Sequence, residues 1–178
     1  RALTAMEQRL GANHRFTLAL RSTRFESFAA WGRYDEAANE ALAVWQGASA
    51  LAGPASHQAL VGQIDYGSTL CQTVRRAEGL AIARQALGTV RQAFGADYPL
   101  THAIRYYTAE CLIANRRHAE AGELLAGLDR QKVAELIGQA DFGGLVDLAL
   151  GEIALARGDK MAARGFLRAA AGELQETE

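Results

Sequence analysis

Apolar residues recur along this chain at three- and four-residue intervals, the spacing that collects them on one face of an α-helix, and no run of them alternates as a strand would. The apolar stretches come in pairs separated by short breaks. The spacing predicts helices over 17–31 and 35–51, 57–73 and 76–94, 99–115 and 118–139, and 142–157 and 160–174. Gly32 and Gly158 fall where the first helix of a pair must stop and reverse, a turn that glycine makes cheap. Pro99 suits a first helical turn, and Asp97 lies close enough to cap it.

The pairs repeat. Gly32-Arg33-Tyr34-Asp35-Glu36-Ala37 corresponds, on a step of 42 residues, to Val74-Arg75-Arg76-Ala77-Glu78-Gly79. The next steps of 42 give Arg116-Arg117-His118-Ala119-Glu120-Ala121 and Gly158-Asp159-Lys160-Met161-Ala162-Ala163. Each unit opens alike, at Gly11-Ala12-Asn13-His14, Gly53-Pro54-Ala55-Ser56-His57 and Gly95-Ala96-Asp97-Tyr98-Pro99, with one residue inserted in the second. Small residues recur on the first helices at Gly67, Ala109 and Gly151, and on the second helices at Ala37, Gly79, Ala121 and Ala163. Two further series, Ala41, Ala83, Leu125 and Leu167, then Val44, Ala86, Leu128 and Ala170, complete a packing stripe. Phe25 breaks the first series, and is expected to push its helix pair apart or to pack on something upstream.

This pattern resembles the tetratricopeptide repeat, with its small residue on the first helix, Gly-x-Tyr turn and alanines on the second. The 42-residue step looks most like the kinesin-light-chain type, which occurs in bacterial signalling proteins. The resemblance implies an all-α fold, a tetratricopeptide-like α-solenoid in which antiparallel helix pairs stack as a right-handed superhelix. Its units are residues 12–52, 53–94, 95–139 and 140–178, forming one solenoid domain. Ala2 to Gly11 match Ala86 to Gly95 at twice the step, and residues 1–11 are expected to be the second-helix remnant of a preceding repeat. An apolar face exposed there is expected to favour self-association.

In the resembled family the first helices line the concave side. Carried over, that places Ser22, Thr23 and Glu26 in the groove, followed by Ile64, Asp65 and Ser68, then Tyr106, Tyr107 and Glu110, then Leu148 and Glu152. Glu26, Glu110 and Glu152 share one phase, with Ser68 filling the gap. One reading is an acidic groove for a basic or polar peptide, with Tyr106 and Tyr107 as aromatic anchors. The other is a solvated face whose glutamates pair with arginines such as Arg21 and Arg105. A clamp for a C-terminal carboxylate is disfavoured, because the lysines, arginines and asparagine it needs are absent from these positions.

Composition narrows the field. Nineteen Lys and Arg against twenty Asp and Glu give a net charge of −1, which offers no electrostatic case for nucleic acid. The apolar runs are too short to cross a membrane. Cys71 and Cys111 lack metal-ligand spacing and read as buried apolar side chains. His14 and His57 belong to the repeat openings, while His102 and His118 find no second and third ligand at helical spacing. No phosphate-cradling loop or nucleophile elbow is present, and Glu36 with Glu40 reads as an ordinary exposed face. No catalytic constellation, cofactor or metal is therefore expected. The chain reads as a protein- or peptide-binding module and not an enzyme, part of a larger protein. The alternatives are a sensor segment controlling an attached kinase or DNA-binding domain, and a self-association module. The compartment is read as the cytoplasm, with the periplasm as the alternative.

Overall fold

The computed structural model describes residues 2–138 and 142–175. Among these residues all regular structure is helical: α1 (Ala2–Leu10), α2 (Arg15–Ala30), α3 (Tyr34–Ala52), α4 (His57–Cys71), α5 (Arg76–Phe94), α6 (Pro99–Ala114), α7 (His118–Ala126), α8 (Arg130–Ile137), α9 (Phe142–Ala156) and α10 (Lys160–Gln175). Contacts divide the chain into two units, Arg1–Ala93 and Phe94–Glu178. No helix of the described residues is long and apolar enough to cross a membrane.

The 42-residue step survives in the backbone. Gly11, Gly53 and Gly95 hold φ of +92°, +87° and +88°, and His14, Ser56 and Tyr98 follow each by three residues as helix N-caps. The register therefore runs without the insertion read at the second opening, and His14 corresponds to Ser56, not to His57. His14 Nδ1 accepts from the Phe16 N–H at 3.3 Å, and Ser56 Oγ accepts from Ala59 N–H at 3.4 Å. The third cap is Tyr98, which makes no side-chain bond, so Asp97 does not fill that role.

In unit 1, α2, α3 and α4 pack as consecutive antiparallel neighbours: Leu18 meets Gly47, whereas Arg21 further along meets Glu40. Ala38 and Ala41 of α3 join Tyr66 and Leu70 of α4 in one buried cluster, closed by Phe25, Leu42, Trp45 and Ile82. Phe25 thus packs onto the helices that follow it. The contact between α3 and α4 is backbone-close. A Cβ added at Gly62 would stand 2.7 Å from the Trp45 nitrogen, nearer than real side chains approach. Glu40, expected to be exposed, is only 6 % exposed. Its carboxylate takes Arg21 at 2.6 Å and Arg24 at 2.8 Å, and Arg21 also reaches Glu7 on α1.

In unit 2, α6 packs on α7 and α8, and α9 packs on α7, α8 and α10. Ile104, Leu112, Val133, Phe142 and Val146 are fully buried there. The small series Ala109, Ala121, Ala163 and Ala170 is buried as its repeat phase requires. Gly151 leaves room for the Leu167 side chain, whose Cδ2 would lie 3.0 Å from an added Cβ.

The helix expected over 118–139 is broken, and α7 and α8 replace it. Gly127 closes α7, and the Asp129 carboxylate caps α8 by accepting from the Lys132 N–H at 3.1 Å. Arg105 donates to the carbonyls of Leu124 (2.8 Å) and Gly127 (2.7 Å), the orphan acceptors that the end of α7 exposes. Buried His102 accepts the Asp129 N–H on Nδ1 at 3.1 Å. Residues 139–141, the expected end of this helix and the approach to the next, lie outside the described residues.

A second periodic device sits at the start of the second helices. Arg33, Arg75 and Arg117 recur every 42 residues, and each pairs with a glutamate three residues on: Glu36 at 2.5 Å, Glu78 at 2.6 Å, and Glu120. At the fourth equivalent position Asp159 accepts from the Ala162 N–H at 2.9 Å. Cys71 and Cys111 are buried as expected, but neither is a free thiol.

Candidate functional site

The residues assigned to a groove fall on α2 and α4 in unit 1, and on α6 and α9 in unit 2. In unit 1, Thr23 and Glu26 are exposed and Ser22, Asp65 and Ser68 are half-buried, while Ile64 lies in the core. The hydroxyls are occupied locally: Ser22 donates to the Leu18 carbonyl at 3.2 Å, Thr23 to that of Ala19 at 3.3 Å, and Ser68 to that of Asp65 at 3.2 Å. Asp65 faces Glu26 from the neighbouring helix. Burial pushes the Asp65 carboxyl up to about 7, and the Glu26 charge adds to the rise.

Unit 2 gathers four of its assigned residues, Tyr106, Glu110, Leu148 and Glu152, around a cavity of about 350 Å³ that Tyr107 does not line. Tyr106 and Glu110 of α6 line it, with Leu145, Leu148, Ala149, Glu152 and Leu155 of α9 and Leu167 of α10. Helical spacing explains the set, since Tyr106 and Glu110 are one turn apart on α6, as are Leu148 and Glu152 on α9. Tyr106 is 6 % exposed, its ring packed edge-on against Phe142 (4.9 Å) and Tyr107 (5.3 Å). It is therefore a wall of the cavity, not the projecting anchor expected from its position. Burial raises the Tyr106 phenol above its ordinary range, with the Glu110 and Tyr107 charges adding. Burial likewise pushes the Glu110 carboxyl up to about 7, and Glu152 across the cavity adds to it.

The arginines read as partners for these glutamates are engaged elsewhere. Arg21 pairs with Glu7 and Glu40, and Arg105 is bound to the carbonyls at the end of α7. Among the described residues, Glu26, Asp65, Glu110 and Glu152 take part in no ion pair. Two carboxylate pairs thus stand without a cation, each with one member held partly out of water.

The leucines that complete the unit 2 cavity were not singled out as site residues in the sequence. Leu145, Leu155 and Leu167 follow the apolar spacing of any packed helix, and only the exposure of Leu148 (40 %), Leu155 (53 %) and Leu167 (39 %) sets these three apart from core. A second cavity of about 420 Å³ lies between α7, α9 and α10, walled by Ala119, Gly122, Ala126, Ile153 and Phe166. It is lined mainly by small and apolar groups. Among the described residues no group of three His, Cys, Asp or Glu side chains could hold a metal ion. Neither a protein-family model nor a curated protein matches the chain.

Proposed function

We propose that this chain is a protein- or peptide-binding module of the tetratricopeptide-like α-solenoid kind, working through the faces of α2, α4, α6 and α9. The observation that carries this reading is the Glu110–Glu152 pair. Two carboxylates share a half-buried apolar cavity with no cation, an arrangement that costs folding stability and is relieved when a cationic ligand enters. The periodic packing supports it further, since helical repeats stack into extended surfaces suited to extended ligands. The ligand of this reading is a basic or polar peptide or protein segment, and the module is one part of a larger, signalling or regulatory protein in the cytoplasm.

The test is direct binding. A phage-displayed library of random dodecapeptides, panned against the full chain, should yield binders whose affinity weakens as salt screens the carboxylates. Those binders should be lost on Glu110→Lys together with Glu152→Lys. Binding indifferent to this double substitution would move the site away from α6 and α9.

A further inference from the structure

We propose that the cavity between α6, α9 and α10 is a pocket for a single lysine side chain of the bound segment, with Tyr106, Glu110 and Glu152 receiving its ammonium group. The proposal rests on the peptide-binding reading above and names what that site selects.

The polar wall suits an ammonium. The primary ammonium carries three N–H donors and no acceptor. The cavity offers three acceptor groups: the Glu110 carboxylate, the Glu152 carboxylate and the Tyr106 hydroxyl. Tyr106 is an independent pointer to a ligand. Its side chain is 94 % buried by its 6 % exposure, lines the cavity beside Glu110, and makes no hydrogen bond within the described protein. A hydroxyl at the cavity wall with no partner among the described residues can accept from a donor brought into the cavity.

The remaining wall suits the stem. Leu145, Leu148 and Leu155 give the cavity an apolar lining, against which a four-carbon chain packs while its charged end reaches the carboxylates. At about 350 Å³ the space is near the lower end of the ~300–1,000 Å³ range of ligand pockets, large enough for a side chain and too small for a folded partner. The planar guanidinium of arginine, by contrast, binds best edge-on to one carboxylate, and two acids on opposing helices do not present that fork.

Proton linkage follows. Glu110 is half-protonated near pH 7 when the cavity is empty, and an ammonium beside it favours the charged form. The groups around it are Tyr106 and Tyr107 on its own helix and Glu152 on α9. Arg105 of α6 is turned to the α7 carbonyls, and Asp147 of α9 is paired with Arg130 of α8. Lysine binding should therefore release a proton, and affinity should rise with pH through about 7 and level off above it.

Two measurements decide the matter. The dodecapeptides selected above should share one fixed lysine, and replacing it with norleucine, which keeps the stem and removes the charge, should cost about tenfold or more in affinity. Separately, Glu carboxyl carbons of the full chain should be titrated by NMR with and without n-butylammonium. The Glu110 midpoint should fall by about one pH unit or more with the amine, and 1-butanol should leave it in place. Selected peptides with no cationic preference, together with a Glu110 midpoint unmoved by butylammonium, overturn the lysine pocket while the binding module stands. If no peptide is selected at all, the peptide-binding reading fails. A butylammonium shift alone then supports a pocket for small amines, and its absence removes the pocket as well.

Discussion

In unit 1 the half-buried acid, Asp65, faces Glu26 from a rim of serine and threonine hydroxyls already bonded to their own helices. In unit 2 its counterpart, Glu110, faces Glu152 across a cavity walled by leucines and by Tyr106, whose ring packs on Phe142. Both acids are raised to about 7 by the same cause, removal from water. Beside the second lies a cavity with an apolar lining. The comparison teaches that a shared electrostatic cost at two places in a repeat need not mean a shared site. What marks the second is the volume next to the charge.

The sharpest break between the units is in how closely helices approach. Gly62→Val in unit 1 should cost ~2–3 kcal/mol, because the added atoms meet the backbone of Trp45 and cannot displace it. Gly151→Ala in unit 2 meets the Leu167 side chain at Cδ2 (3.0 Å) and Cγ (3.1 Å), which must give slightly, and gains helix propensity of about 0.5–1 kcal/mol, so its net effect should be near zero. Urea unfolding of the two variants checks the contrast, and equal losses would show that the seams are alike.

The next effect concerns the acids. Glu110 has a folded value near 7, above its ordinary value of 4.5, so the folded state binds the extra proton between those limits. Its stabilising contribution is full below pH 4.5 and is lost as pH rises through about 7. Glu110→Gln should therefore raise stability at pH 8 by on the order of 1 kcal/mol or more, and leave it unchanged at pH 4. Asp65→Asn should behave in the same way in unit 1, with its window opening at 3.8. Thermal melts at the two pH values read both. Unit 2 carries an opposing group, since burial lowers His102 below its ordinary 6.5, with Arg105 and Lys132 adding. That contribution is full above pH 6.5 and falls as acid protonates the imidazole. With Glu110→Gln in place, stability below pH 6.5 should fall more steeply than in the parent, and a parallel profile would remove the Glu110 titration from the account.

A smaller effect lies at the turn before α7. Arg116 holds φ of +59° at the position where Gly32 and Gly158 stand in other repeats. Arg116→Gly should stabilise the chain by about 1 kcal/mol, because glycine adopts that conformation without strain. A calorimetric melt that does not rise would show that the side chain supplies something the backbone argument omits.

Much of this was legible in the sequence. The start of α2 lies two residues from its expected place, those of α4, α5, α6, α9 and α10 match, and the small residues Ala37, Ala109, Ala121 and Ala163 are buried as their phase required. Periodicity reports such features because packing imposes them on every repeat. It could not report the break between α7 and α8, which belongs to one repeat alone, although Gly127 followed by Asp129 is a stop and a cap in the right order. The arginine–glutamate pairs beginning at Arg33 were visible as letters but looked like solvated surface. Such pairs contribute little energy, so nothing in apolar spacing marks them. The cavity was hidden for another reason. Its leucines obey the core pattern, and whether an apolar face meets a neighbour or an opening is decided by three-dimensional contact.

The broken helix has a consequence in terms of the helix dipole. Each break in a helix creates two new poles, a negative carboxyl end and a positive amino end, each of about half a charge. Here the Asp129 carboxylate sits at the positive pole of α8, and the Arg105 guanidinium sits on the negative pole of α7. Arg105 belongs to the same helix as Glu110, on a face turned to the carbonyls of α7. By splitting one helix, the fold gives that positive charge a pole of its own to neutralise.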